Sequence, residues 1–266
     1  MNAHVVIIDP QVDFCSQIGS LFVTGADIDM KMSGQMIDRL GTKISKYHVT
    51  LDNHHWVHVA HPVFWIDNCG NHPNPFTIIS NEDVVDGKWK ATKEKHQPWA
   101  IEYTRKLKNN GRYPLCIWPP HCIIGTLGAN ISQDVMTPLL EWENKMIDTV
   151  DFIHKGTNWR TEHYSAIQAD ISDDITNDPS TFRNDRFLMD LADADIIGIC
   201  GEALSHCVAN TVRDIADNFG EENVKKIVLL QDASSNVPGF EQLGNAFIQD
   251  LTKRGMQLGT TTDFLV

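Results

Sequence analysis

Short apolar runs alternate along this chain with longer stretches whose apolar positions recur at helical spacing. His4–Ile8, Tyr47–Leu51, Met146–Ile153, Ile196–Cys200 and Lys226–Leu230 are the short runs. Nearly continuous apolar runs suit strands buried on both faces. Lys31–Lys46, Ser132–Glu143, Phe182–Ala192, His206–Asn218 and Gln242–Arg254 carry the three-to-four-residue period of helices. The alternation predicts an α/β, three-layer Rossmann-like domain: a parallel central sheet, helices on both faces and right-handed crossovers. The whole chain, 1–266, reads as one such domain. The stretch from about 65 to 113 breaks the pattern with Pro73, Pro75 and Pro98, Trp89 and Trp99, and a lysine-rich patch from Lys88 to Lys95. It reads as an insertion, part loop and part short helix over Trp99–Asn109, packed on its own aromatics.

In sheets of this kind, ligands bind beyond the carboxyl ends of the strands. The residues just after each apolar run therefore carry the most information. They include Asp9, Asp52 with His54, Lys155, and the stretch from Gly201 to Cys207. Reactive side chains gather where the predicted fold places a site.

Bulk properties narrow the function. A formal net charge of -13 would repel nucleic-acid phosphates and anionic lipid, so neither is an expected partner. No apolar run reaches the length of a membrane span. The N-terminus enters Val5-Val6-Ile7-Ile8 without a basic region or a small-residue cleavage site, so no signal peptide is read and a cytoplasmic location is expected. The six cysteines are irregularly spaced, and no disulfide framework is expected.

Five histidines, His48, His54, His55, His58 and His61, fall within fourteen residues, and Asp52 precedes His54 by two. Imidazole nitrogens with a carboxylate oxygen suit Zn²⁺, Fe²⁺ or Mn²⁺. His121, held after Pro119 and Pro120, is a further candidate. Any one histidine is more often a surface or satisfied core residue; the grouping with Asp52 favours a metal. Spacing does not choose between His58 and His61.

Cys207 follows a strand and a turn and opens a helix, where the helix dipole lowers a thiol pKa and backbone N–H groups offer an oxyanion hole. An arbitrary cysteine is usually structural, and Cys200, inside a strand, keeps that reading. Asp9 ends the first strand and can serve as base for a thiol and acid for a leaving amine. Asp13 reads as a turn or helix-capping residue. Lys155 ends another run and could favour both carboxylate and thiolate by charge.

With these residues in hand, the chain resembles the isochorismatase-like cysteine hydrolases, and among them the nicotinamidases. The matches are Asp9-Pro10-Gln11-Val12-Asp13-Phe14, Leu51-Asp52-Asn53-His54, His61 to Phe64, and Trp118-Pro119-Pro120-His121-Cys122. Gly125 to Ala129, Lys155-Gly156, Glu162-His163-Tyr164-Ser165-Ala166 and Gly201 to Val208 continue the series in order. The resemblance implies a triad of Asp9, Lys155 and Cys207, and an oxyanion hole from the backbone of Ala203 and Cys207 with a cis peptide before Ala203. It implies one divalent metal ion per chain, Zn²⁺ first with Fe²⁺ or Mn²⁺ as alternatives, on Asp52, His54, His121 and His61. Phe14, Trp118 and Tyr164 would line an aromatic slot. The implied reaction is hydrolysis of a small amide, nicotinamide, to nicotinate and ammonia through a thioester, in a chain compatible with a homo-oligomer. A ureidoacrylate- or biuret-type hydrolase of the same fold, or a non-catalytic binding protein, are the alternatives. Departures are the rival His58, Ile167 where the family often has Phe, the polar Glu202 in the elbow, and the long insertion.

Overall fold

The computed structural model describes residues 1–172 and 176–266. Among the described residues ten strands run in chain order: β1 (Ala3–Ile8), β2 (Lys46–Asp52), β3 (Trp65–Ile66), β4 (Ile78–Ile79), β5 (Lys90–Ala91), β6 (Leu115–Cys116), β7 (Asp151–Lys155), β8 (Ile196–Gly201), β9 (Ile227–Leu230) and β10 (Gln257–Gly259). The helices are α1 (Val12–Cys15), α2 (Ala26–Leu40), α3 (Asn81–Val85), α4 (Gln97–Asn109), α5 (Gln133–Met146), α6 (Asp185–Ala192), α7 (Ala209–Phe219), α8 (Glu221–Val224) and α9 (Glu241–Lys253).

Six strands form one parallel sheet in the order β10-β9-β8-β1-β2-β7. All six residues of β1 are buried, which is why that strand reads as an unbroken apolar run. Neighbouring residues of β2 show the three layers directly. Tyr47 packs edge-on against Trp142 of α5, while His48 turns the other way onto Phe187 of α6. Helix α2 packs with α5 on the first face; α6 and α9 both pack with α7 on the second.

The boundaries depart from the sequence expectation where local chemistry overrides period. The helix expected over Lys31–Lys46 is Ala26–Leu40, because Gly41 at φ 49° ends it and β2 begins at Lys46. The run expected to begin at Met146 starts as strand only at Asp151; Met146 closes α5, with Ile147 in a left-handed conformation. The edge strand β10 has only three residues and no apolar run to announce it.

The 65–113 segment holds two small antiparallel pairs, β3 with β5 and β4 with β6, and helices α3 and α4. A capping box of Ser80 and Asp83 starts α3. Its buried Trp65 donates to the Val59 carbonyl at 2.6 Å, and Trp99 donates to the Arg160 carbonyl at 2.8 Å. Among the described residues no helix is long and apolar enough to cross a membrane.

Candidate active site

The carboxyl ends of β1, β2, β7 and β8 deliver Asp9, Asp52, Lys155 and the Gly201–Cys207 turn to one place. Asp9 follows β1 directly and has φ 44°, a left-handed conformation uncommon outside glycine. Its N–H donates to the Thr50 carbonyl at 3.1 Å, and the Thr50 hydroxyl donates to Asp9 Oδ1 at 2.5 Å. Gln11 stitches β1 to β2: its amide donates to the Asp52 carbonyl at 2.7 Å and its Oε1 accepts the Asp52 N–H at 2.7 Å.

Lys155 is fully enclosed, at 2% exposure, and its ammonium meets three groups. It lies 2.8 Å from Asp9 Oδ2, 3.2 Å from Asp52 Oδ1 and 3.6 Å from Cys207 Sγ. One ligand atom each from Asp9, Asp52 and Cys207 falls within 4.8 Å of the others. Burial opposes the ammonium, but the two carboxylates outweigh it and raise Lys155 well above its ordinary range. Burial also raises Asp9, against the pull of Lys155. At Asp52 burial is overcome by His54 and Lys155, which hold the carboxyl well below its usual value.

Burial raises the Cys207 thiol well above the usual value, with Lys155 opposing and the Asp9 and Asp52 charges adding to burial. The turn that carries it, Leu204–Val208, is π-helical: the Val208 N–H returns to the Ala203 carbonyl at 3.1 Å, five residues back. The Glu202–Ala203 peptide is cis. Asp13 does not cap a helix. It lies within α1 and accepts N–H groups from Cys122 at 2.7 Å and Ser20 at 3.0 Å, tying two loops to the site.

Beside these groups, two imidazoles, His54 and His121, converge on Asp52, and His61 lies near them. His54 Nδ1 meets the Gly156 carbonyl at 3.2 Å, His61 Nδ1 the Trp56 carbonyl at 3.1 Å and His121 Nδ1 the Pro119 carbonyl at 2.8 Å. Each carbonyl can only accept, so an imidazole that donates to it from Nδ1 can offer its Nε2 lone pair to a metal. His54 Nε2 is 3.0 Å and His121 Nε2 3.6 Å from Asp52 Oδ2. His61 Nε2 is buried without a partner among the described residues. Inward-facing lone pairs beside a carboxylate are the donor set of a divalent cation, and the residues fit one. His54, His121 and Asp52 form the tight group; His61 stands further out, its ring centre 5.5 Å from that of His54. His58, the rival, has both nitrogens engaged: Nδ1 accepts the Ala60 N–H at 3.1 Å and Nε2 faces the Thr161 carbonyl at 3.1 Å. Gly156 makes room for this cluster. At φ 79°, a Cβ there would lie 2.6 Å from Asp52 Oδ1.

A small pocket opens over Cys207 and His121. Phe14, Trp118 and Tyr164 line it, and the Trp118 indole N–H donates to the Tyr164 hydroxyl at 3.0 Å. Sequence reasoning assigned no site role to His206 or Glu162, which also line it. The His206 ring stands perpendicular to Trp118 at 5.1 Å. Burial pushes the Glu162 carboxyl up to about 8, and its Oε2 has no partner among the described residues. The insertion reaches this residue through the Tyr103 hydroxyl of α4, which accepts the Glu162 N–H at 3.0 Å. Only the E-x-Y-S-A match could have pointed to Glu162; its burial is a tertiary effect.

No family model matches the chain, and no curated protein matches it in sequence. Solved structures do match. A nicotinamidase/pyrazinamidase from Acinetobacter baumanii aligns with a TM-score of 0.66 and 20% identity, covering 99% of this chain and 98% of that one. The yeast nicotinamidase bound to the inhibitor nicotinaldehyde aligns with a TM-score of 0.67 and 17% identity, over 97% and 99% of the two chains. A pyrazinamidase of Pyrococcus horikoshii in complex with zinc aligns with a TM-score of 0.56 and 17% identity, over 98% and 99%. The chain shares the fold of these enzymes.

Proposed function

We propose that this chain is an amidohydrolase that converts nicotinamide to nicotinate and ammonia through a thioester on Cys207. One observation carries the reading. A buried ammonium touches both a carboxylate and a thiol beneath an aromatic pocket, with imidazole lone pairs on the neighbouring wall. The same fold in enzymes that act on small aromatic amides supports the choice of substrate.

The chemistry follows from the protonation states. Asp9 takes the proton of Cys207 as sulfur attacks the amide carbon, so negative charge never rests unpaired beside Lys155. The carbonyl oxygen gains that charge, and the backbone N–H groups of Ala203 and Cys207 would receive it. Asp9 then returns the proton to the amide nitrogen, the C–N bond breaks, and ammonia leaves. Asp9 next removes a proton from water, which attacks the thioester and releases nicotinate with the thiol restored. Lys155 stays protonated throughout and offsets the charge on Asp9.

Asp52, His54 and His121, with His61 as the outer member, would hold the divalent ion, with Zn²⁺ as the first candidate. When bound it supplies a Lewis-acidic anchor for a ring nitrogen. Phe14, Trp118 and Tyr164 sandwich the ring, and Glu162, when protonated, offers a hydrogen-bond donor within the pocket. The whole chain acts as one hydrolase domain, with residues 65 to 113 as an insertion supporting the pocket.

The test is ammonia release from nicotinamide by wild type and Cys207→Ala, with metal analysis on the same samples. Turnover by wild type only is expected. A wild type that releases ammonia from ureido compounds but not from nicotinamide would replace the substrate; none from any small amide would end the hydrolase reading.

A further inference from the structure

Next to Ala203, which lines the pocket, the carboxyl groups of Glu202 and Asp29 meet. Glu202 is fully buried and Asp29, on α2, is 7% exposed. Their side chains are in hydrogen-bond contact with each other. Asp29 Oδ2 and Glu202 Oε1 are buried, and neither has a donor among the described residues. Two carboxylate oxygens can only accept, so a contact between them requires a proton. We propose that Glu202 and Asp29 share one proton, and that this acid pair holds the Ala203–Ser205 loop, and with it the wall beside Cys207, in place.

The hydrogen bonds around the pair show how it could do so. The Ser235 N–H donates to Glu202 Oε2 at 3.3 Å, and the Ser235 side chain bonds Asp29. The Leu204 N–H donates to the Ser235 carbonyl at 2.8 Å, and the Val237 N–H to the Ser205 hydroxyl at 3.1 Å. The 234–237 loop is thus clamped between the acid pair and the turn that presents Ala203 and Cys207. Losing the shared proton would place two like charges in contact out of water and drive Glu202 and Asp29 apart. The groups facing the pair give no relief: Asp27 on the same helix, Asp232 beyond β9, Cys15 of α1 and Cys200 of β8 are acidic or neutral. Burial raises both carboxyls; Asp29 adds to the rise at Glu202, while Asp29 is raised further by Asp232 and Asp27 and lowered by its contact with Glu202.

The shared proton stands independently of the proposed reaction; its effect on catalysis rests on that reading. The sign of the pH effect is fixed. The folded state keeps a proton that the unfolded chain releases in the ordinary carboxylate range. Stability from the pair is therefore present at low pH and lost as pH rises. Glu202→Gln and Asp29→Asn each replace the proton with an amide donor that needs none.

Thermal unfolding of wild type and both variants is to be followed from pH 5.5 to 8.5, with amide exchange of the 202–207 segment. The Tm of each amide variant is expected to gain on wild type by about 3 °C or more across that range. The difference cancels Glu162 and Asp170, which are raised alike in all three proteins. Glu202→Ala should speed exchange of the segment about 10-fold at pH 7, and Glu202→Gln should restore it. A Tm difference flat with pH in both amide variants would overturn the shared proton. Unchanged exchange in Glu202→Ala would overturn the clamp. If nicotinamide is turned over, Glu202→Ala should lower kcat about 10-fold with little change in KM. If wild type does not turn it over, the substrate reading fails while the stability and exchange results still decide the pair.

Discussion

Replacing Lys155 with methionine tests the electrostatic centre of the site. The ammonium is 2% exposed and sits 2.8 Å from Asp9 and 3.2 Å from Asp52. Methionine is of similar length and apolar, so the volume is nearly conserved and the cavity contribution is small. What is lost is the charge, leaving two buried carboxyl groups facing each other. Removing one member of a buried pair costs about 3–5 kcal/mol. At about 2–4 °C per kcal/mol for a chain of this size, Tm should fall by about 6–20 °C. Turnover should fall by a factor on the order of 100–10,000, because Asp9 would hold its proton instead of accepting one from Cys207. Scanning calorimetry and an ammonia assay at 20 °C, with circular dichroism as the fold control, would measure both. A Tm within about 2 °C of wild type, roughly the worth of one exposed ion pair, would refute the buried-cation account.

Three further outcomes follow from the same geometry. Because burial raises the Cys207 thiol, its alkylation by iodoacetamide should be slower at pH 7 than that of a free thiol and should climb with pH; a rate independent of pH would indicate a standing thiolate. His61→Ala should weaken metal binding about 10-fold or more, whereas His58→Ala should keep one ion per chain and lose stability instead. Equal metal loss in both would contradict the partner assignment. Gly156→Ala should deplete the metal, since its Cβ would strike Asp52 Oδ1; full metal content by elemental analysis would count against the crowding.

The sheet was legible because its central strands carry short, largely apolar runs, and the site because reactive residues follow those runs. Asp9, Asp52, Lys155 and Cys207 come from four separate strand ends and meet within a few ångströms. The choice between His58 and His61 was not legible, since it depends on which backbone carbonyls happen to lie nearby. The burial that raises the Cys207 thiol was not legible either, because a linear sequence carries no desolvation signal. Glu162 and Glu202 are the same kind of case: acidic residues look like surface until the fold buries them.

The reaction is tested most directly by acid-quenching the enzyme during turnover of nicotinamide and mapping the modified peptide by mass spectrometry. A nicotinoyl group should appear on Cys207, disappear as substrate is exhausted, and never form in Cys207→Ala. Ammonia release that continues with Cys207 unmodified throughout, or that survives in Cys207→Ala, would contradict a covalent route through this thiol.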